Sequence, residues 1–362
     1  MPFEDFDVEK FAQNRALSES GAMPPVDGST TPRRATLATV ADAAGVSIAT
    51  ASRALTGRGD LASATRRRVH VAAREVGYVR EPSAGGRPLG SARLLDLVLG
   101  SYGDDYSDEV TAGARTAAAD AGYDLVLTEE RDTPDDDWPL RIRRRGSAGV
   151  VLGLISPTAA QLSSLADASI PVVLMDPRSD SPRGLTSVQT TDHEGGRSAA
   201  VHLVECGATS FAVLLGRPRY RYGRTRHAGF REGLRAALPA AAITVVQAGW
   251  RRAQARDAMI PLLRDLAPGE RLGVFACSDE LAAGVYAAAA ATGRRIPDDV
   301  LVVGFDDLRG ARWLTPALTT VRQPIREMAA AAVDALAGAA AGSELSGAPI
   351  VLPTRLVIRA ST

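Results

Sequence analysis

The sequence predicts an N-terminal all-α helix-turn-helix headpiece followed by a larger α/β part with two lobes. Three observations predict it. Residues 33–93 hold eleven arginines against four acids, whereas residues 1–32 carry six acids against two bases. Within the basic segment, apolar residues recur at helical spacing over three short stretches. Beyond it, short continuous apolar runs alternate with Ala-rich stretches, the pattern of parallel sheets covered on both faces.

The chain of 362 residues, 45% hydrophobic and 23% charged, is long enough for two or three cored domains and is not a disulfide mini-protein. No run approaches the roughly 20 apolar residues of a membrane span, and the acidic opening PFEDFDVEK is unlike a signal peptide, so a cytoplasmic location is expected. Cys206 and Cys277 lie far apart without CxxC spacing and read as reduced, mostly buried thiols, with no disulfide or zinc site. Lys10 is the sole lysine and Asn14 the sole asparagine, a genome-composition bias to which the arginine richness is assigned. Residues 1–33, acidic and without apolar period, read as a disordered tail.

From Thr36 the string TLATVADAAGVSIATASRAL places Leu37, Val40, Ala41 and Ala44 on one helical face. Gly45 suits a left-handed turn residue, Val46 a plug between helices, and Ser47 the N-cap of a second helix through Leu55. Ala41 and Ala51 would let the two helices cross closely. Thr56, Gly57 and Gly59 end the second helix. SATRRRVHVAAREVGY supplies a third, with Ser63 as cap and Val69, Ala72, Ala73 and Val76 as its buried stripe. The compact basic charge points to nucleic acid.

This string resembles the headpiece of the LacI family of bacterial transcription regulators, with Thr39 and Ala51 as slight departures. The resemblance implies that the second helix enters the major groove of operator DNA. Ile48 and Ala49 then take the variable reading positions, limited to shape and thymine methyls, and Arg53 grips guanine. Thr36, Ser47, Thr50 and Ser52 become phosphate contacts, or caps. Arg66, Arg67 and Arg68 read as a solvated charged face. In EPSAGGRPLGSAR, Arg87 and Leu89 match the end of the family's hinge helix, with Leu89 as a minor-groove wedge. Gly85, Gly86 and Pro88 equally suit a plain flexible linker.

The strands are read at LLDLVLG, YDLVLTE, GVVLGLI, PVVLMD, FAVLLG, ITVVQAG, LGVFACSD and VLVVGFDD. Ligands in such folds sit at the carboxyl ends of strands. The strings RTRHAGFREGL, GRRIPDDVLVVGFDD and ARWLTPALTTVRQP extend the resemblance to the family's periplasmic-binding-protein-like effector domain. SVxxTxxxGG, ARW and LPTRLV are shared with sugar-responsive actinobacterial members, including those sensing cello-oligosaccharides. The implied organisation is a helix-turn-helix DNA-binding domain over 34–80, a hinge linker over 81–92 and a two-lobed effector-binding and dimerisation domain over 93–362.

The same resemblance nominates Arg226 and Asp306 as polar anchors facing one another across the cleft. Trp250 would be an aromatic plate for a sugar ring, or a core tryptophan. Asp105, Tyr106, Asp176, His193 and Ser278 are further pocket candidates. Thr190 and Thr191 stand where an Asp-Asn pair is frequent, Asp279 reads as a helix cap, and Trp313 as packing at a subunit or lobe interface. GxGxxG at a first strand, GxxxxGK[ST], GxSxG and HExxH are absent, and the four histidines form no ligand-spaced cluster, so no enzyme, metal or cofactor is expected. The expected protein is a homodimeric repressor controlled by a small carbohydrate. A nucleoside or phosphorylated metabolite as effector, or a corepressor arrangement, is the alternative.

Overall fold

The structure, a computed structural model, describes residues 36–56, 62–76, 93–131, 136–180 and 184–362. The chain separates into two compact units, residues 1–90 and 91–362. The tail read over 1–33 and the hinge with Arg87 and Leu89 lie outside the described residues.

The first unit holds α1 (Leu37–Ala44), α2 (Ile48–Thr56) and α3 (Ser63–Glu75). Thr36 and Thr39 cap α1 reciprocally: Thr39 N donates to Thr36 Oγ1 at 3.3 Å and Thr36 N to Thr39 Oγ1 at 3.2 Å. The departure at Thr39 therefore has a use, closing the helix start. Gly45 turns with φ 62°, as the tight turn requires. Val40, Ala41, Ala44, Ala51, Ala54, Val69, Ala72 and Ala73 form the core, with Leu37, Val46, Leu55 and Val76 packed at its edge. Two expectations are corrected. Ser63 is the first residue of α3 rather than preceding it. Arg68 is not simply solvated: its Nε donates to Ala44 O at 3.0 Å, satisfying an open carbonyl at the end of α1.

The second unit has two six-stranded sheets. The first lobe is built on β1 (Leu94–Leu99), β2 (Asp124–Glu129), β3 (Gly149–Gly153), β4 (Val172–Met175) and β5 (Ser187–Thr190), with α4 (Asp105–Asp120), α5 (Trp138–Arg145) and α6 (Ala159–Asp167). The second is built on β6 (Ser210–Leu215), β7 (Ile243–Gln247), β8 (Leu272–Ala276), β9 (Val300–Asp306) and β10 (Thr319–Arg322). Its helices are α7 (Asp192–Glu205), α8 (Arg221–Ala237), α9 (Arg252–Arg264) and α10 (Asp279–Thr292), with a 3-10 turn at Arg309–Arg312. The chain then returns through α11 (Ile325–Ala340) and β11 (Pro349–Leu352) to the first lobe, and ends with β12 (Arg355–Val357) in the second. Strand orders are β11-β5-β4-β3-β1-β2 and β12-β10-β9-β8-β6-β7. All pairings are parallel except β10 with β12.

Three segments thus cross between lobes: residues 190–192, 322–325 and 352–355. They are tied together. Thr191 Oγ1 accepts from Thr354 N at 2.8 Å, and Thr190 Oγ1 donates to Gln323 Oε1 at 3.1 Å. Leu95, Leu97 and Leu99 of β1 face α4 and α11, while Val98 faces Trp138 and Ile142 of α5. The expectation of fully buried strands fails at β2 and β7. Each lies at a sheet edge, with Leu127 49% and Val245 43% exposed. Cys277 is buried and Cys206 half-buried, both as free thiols. Among the described residues no helix is long and apolar enough to cross a membrane.

Candidate functional site

In the first unit, Ser47 Oγ accepts from Thr50 N at 3.1 Å and lies 2.8 Å from Thr50 Oγ1. Ser47, Thr50 and Thr36 are thereby grouped at helix N-termini, where open N–H groups and the positive dipole end also attract phosphate. Ser52 is half-buried. Ile48 is 54% exposed, so it has no part in the core, and Ala49 beside it is exposed too. One turn later, exposed Arg53 donates from Nε to Ala49 O at 3.3 Å, holding the guanidinium stem along α2. An exposed apolar pair followed by an arginine is the chemistry of a groove-reading face.

In the second unit, charged side chains converge where the carboxyl ends of β4, β8 and β9 approach one another. α7 and α8 cross at Gly196 and Gly229, where a Cβ would overlap the Arg226 and His193 carbonyls respectively. That contact sets Asp192 beside Arg226. Arg226 is buried, donating from Nε to Asp192 Oδ1 at 2.9 Å and from Nη1 to Cys277 O at 2.7 Å. Its Nη1 lies 3.6 Å from Asp306 Oδ1, and its guanidinium carbon 3.7 Å from the Phe305 ring centroid. Gln323 Nε2 donates to Asp306 Oδ1 at 2.6 Å, which links the cluster to the crossing segments. Arg221 of the second lobe reaches the first, donating from Nη2 to Asp176 Oδ1 at 2.8 Å and from its backbone N to Arg178 O at 2.7 Å. Tyr106 OH lies 3.5 Å from Asp176 Oδ2. Asp176 and Asp306 adopt φ of 43° and 115° at the ends of their strands. Such backbone strain persists where surrounding contacts hold it, and it clusters at ligand sites.

The sequence-nominated residues divide accordingly. Arg226, Asp306, Asp176 and Tyr106 come together. However, Arg226 and Asp306 do not face one another across the cleft: both belong to the second lobe, and the pair that spans the lobes is Asp176 with Arg221. Trp250 lies against Gly216, stacked on Tyr220 (6.2 Å, 12°) and tilted to Tyr222 (5.4 Å, 54°). One face of the Trp250 ring is thus turned to Tyr220. His193 turns to Glu232 of α8 at 3.4 Å, away from the cluster. Ser278 caps α10, accepting from Leu281 N at 3.2 Å. Asp279 is not the cap: it accepts from Leu308 N at 2.8 Å and Thr320 Oγ1 at 2.5 Å, fastening the turn after β9. Asp105 is exposed, its Oδ2 3.6 Å from where a Cβ on Gly310 would stand, at the rim between lobes. Trp313 is 73% exposed, so it packs against neither lobe.

Trp250 Nε1, Arg178 Nε, Arg221 Nε and Asp192 Oδ2 are buried without a hydrogen-bond partner. Trp138 Nε1, Arg145 Nε and Ser210 Oγ, away from this cluster, are buried in the same way, and Asp192 Oδ2 has Arg221 Nη2 at 3.4 Å. The open groove lined by Leu162, Ile170, Leu185 and Leu345 in the first lobe lacks such groups. Among the described residues no His, Cys, Asp and Glu group could hold a metal.

Burial pushes the Asp176 carboxyl up to about 6, helped by the Asp192 charge and opposed by Arg221. Burial also pushes Asp306 up to about 7, against the pull of Arg226 and the Gln323 hydrogen bond. Cys277 is pushed up to about 12 by burial, leaving an inert thiol. Between the ordinary carboxylate range near 4 and these raised values, the folded chain holds protons that the unfolded chain releases. The contribution of Asp176 and Asp306 to stability therefore falls as pH rises from about 4 to about 7. Asp306→Asn, which cannot ionise, is expected to gain stability relative to the parent protein across that range. Urea unfolding midpoints at several pH values check this, and a pH-independent difference would refute it.

A model of bacterial regulatory proteins of the lacI family matches residues 36–81, and one of periplasmic binding protein-like domains matches residues 200–362. The HTH-type transcriptional regulator CelR of Thermobifida fusca is 31% identical over 342 residues, 91% of this chain and 98% of its own length. The chain belongs to the lacI family of bacterial regulatory proteins. As a lacI-family member it is a DNA-binding transcription regulator with a helix-turn-helix domain and a two-lobed ligand-binding domain. A solved transcriptional regulator CelR–cellobiose complex is similar at TM-score 0.66 and 28% identity, covering 91% of this chain and 100% of that one. The Lac repressor dimer bound to operator and the anti-inducer ONPF shares the fold at TM-score 0.76 and 23% identity, covering 91% and 99%.

Asp192, Arg221, Arg178, Tyr220, Tyr222 and Gln323 were not nominated. For Asp192 a signal existed. The expected acid is absent at Thr190 and Thr191, and the carboxylate that holds Arg226 stands just after them, opening α7.

Proposed function

We propose that this regulator is a cytoplasmic homodimeric repressor whose operator affinity is set by a small carbohydrate bound between its lobes. The observation that carries the reading is the interlobe cluster of Asp176, Arg221, Asp192, Arg226 and Asp306 beside Tyr220, Tyr222 and Trp250. Sugar hydroxyls both donate and accept, which suits alternating guanidinium and carboxylate groups, and an aromatic wall suits a pyranose face. The likeness to the CelR–cellobiose complex supports a saccharide. These charged groups are paired with one another, an arrangement that supports a sensor.

In this reading Arg53, Ile48 and Ala49 face base edges, and Thr36, Ser47, Thr50 and Ser52 face phosphate. Leu89 lies outside the described residues; the minor-groove wedge is proposed for it from the resemblance, with a plain flexible linker as the alternative. In the cleft Arg226, Asp306, Asp176, Tyr106 and Trp250 contact the effector, with Asp105 and Ser278 at its margin; His193 is left out by its pairing with Glu232. Occupancy changes how the lobes close on Arg221 and Asp176. The change reaches the crossing segments through Asp306, Gln323 and Thr190. A coupling of about 1–3 kcal/mol between sugar and operator is the usual scale.

The test is thermal stability across a panel of mono- and oligosaccharides and nucleosides, since a ligand that binds only the folded state raises it by mass action. A saturable shift with a saccharide supports the proposal, whereas shifts with nucleosides alone would replace the effector class. The dimer places Trp313 on the subunit contact, as its exposure suggests. Trp313→Arg is expected to give monomers at micromolar concentration in sedimentation, and an unchanged dimer would rule that contact out.

A further inference from the structure

We propose that Asp307 is a positioning residue for effector recognition: through Arg322 and Arg359 it fixes the left-handed turn that presents Asp306, without touching the effector itself. This rests on the sugar-sensing reading and deepens it. β9 ends at Asp306 with φ 115°, and Asp307 follows with φ 58°. Two consecutive residues at positive φ, neither of them glycine, make a turn that is unfavourable by itself and persists only where its surroundings hold it. From one side it is held by Asp279 of α10, which accepts from Leu308 N at 2.8 Å and from Thr320 Oγ1 at 2.5 Å.

From the other side it is held by Asp307 itself. Asp307 Oδ2 accepts from Arg322 Nε at 2.5 Å, and Oδ1 accepts from Arg359 Nη2. Its side chain is 1% exposed, so it acts through these partners and not by contact with a ligand. Arg322 ends β10, in register with Asp306 of β9 on one side and with Arg355 of β12 on the other. Two arginines opposite one another across an antiparallel pair repel, and Asp307 supplies the negative charge that Arg322 needs there. Arg359, beyond β12, also donates from Nη1 to Leu318 O at 2.7 Å and from its backbone N to Thr319 Oγ1 at 2.9 Å. One carboxylate thereby joins the end of β9, the start of the crossing segment 322–325 and the C-terminal segment. Gln323, next to Arg322, donates to Asp306 Oδ1, so the place of Arg322 and the aim of the Asp306 carboxylate are set together. Without the Asp307 charge, two partly buried guanidinium groups lose their partner and the strained turn loses one of its two supports. Asp96 offers a comparison: it is just as buried, but its partners Arg145, Thr128 and Ser147 all belong to the first lobe.

The experiment is calorimetric titration of the full-length protein with glucose, xylose, maltose and cellobiose, after which the tightest of them is titrated into Asp307→Asn, Asp307→Gly, Arg322→Gln and Asp96→Asn. Urea midpoints of all variants are measured alongside. Asp307→Asn keeps the size and the tolerance of positive φ but not the charge, and is expected to bind the saccharide at least about tenfold more weakly, the loss of one well-aimed charged contact. Asp307→Gly adopts the turn freely but releases both arginines, and is expected not to recover binding. Arg322→Gln, which removes one arm at the half-buried edge, is expected to fall between Asp307→Asn and the parent. Asp96→Asn is expected to lower the urea midpoint and leave saccharide affinity as in the parent. Parent-like affinity in Asp307→Asn would overturn the proposal, as would full recovery in Asp307→Gly, which would assign the turn to backbone preference alone. An equal loss in Asp96→Asn would also overturn it, by reducing the effect to general destabilisation. If Asp307→Asn does not fold, parent-like affinity in Arg322→Gln overturns it. Failure of the parent protein to bind any of the four saccharides would overturn the sugar-sensing reading itself, an outcome distinct from all of these.

Discussion

Arg53→Ala is expected to erase the sequence preference of the DNA-binding surface while leaving effector binding intact. Ile48 and Ala49 present only methyl and methylene groups at the exposed start of α2, so they read shape and thymine methyls and offer no hydrogen bond to a base. Arg53 is the exposed guanidinium one turn further on, with its stem laid along α2 by the bond to Ala49 O. A bidentate grip on guanine contributes about 1–3 kcal/mol per half-site, so a dimer on a two-fold operator would lose roughly twice that. Contacts from the N-terminal hydroxyls would persist and keep nonspecific binding. Arg53 lies in the unit of residues 1–90 and the interlobe cluster in that of residues 91–362, so the substitution removes no side chain of the cluster. Sites selected from random DNA by the parent protein, then titrated with both proteins at one salt concentration, measure the effect. If Arg53→Ala selects the same motif at similar affinity, base reading lies elsewhere.

The headpiece was legible because its local signals agree: Gly45 at a left-handed turn, Ser47 at a cap, and small apolar residues at helical spacing that became the core. In the larger unit the long apolar strands were legible for the same reason. The short strands β5, β10, β11 and β12 were not. They span three or four residues each and pair beside the crossing segments, where tertiary contacts decide the conformation; β5, β10 and β12 contain Ser, Thr, Gln or Arg, and β11 opens on a proline. At the cleft, single residues marked by resemblance were found, but their partners were not. That Asp192 reaches Arg226 depends on the glycine crossing of α7 and α8, and that Arg221 meets Asp176 depends on how the lobes close. Spacing along the chain encodes neither. His193 shows the converse: adjacent in sequence to a cluster member, it lies on the side of α7 that meets Glu232.

The second large effect is expected at Arg226. Arg226→Ala removes the buried cation that compensates Asp192 and Asp306 and satisfies Cys277 O, and it empties the space over Phe305. Breaking one partner of a buried charge pair costs about 3–5 kcal/mol, because the remaining charge stays desolvated. For a marginally stable domain this is a large fraction of the whole. Loss of sugar response in Arg226→Ala alone would therefore not separate contact from collapse. Two companions do. Arg226→Ala with Asp192→Ala is expected to recover part of the urea midpoint, since the stranded carboxylate is gone. Arg226→Lys keeps the charge beside Asp192 but loses the planar fork that also reaches Cys277 O and Asp306. It is expected to remain folded and to lose most of the sugar-dependent thermal shift. A double variant no more stable than Arg226→Ala would show that Asp192 is not the stranded partner. A Lys variant with full sugar affinity would make Arg226 a structural anchor and move ligand recognition to Arg221 and Asp176.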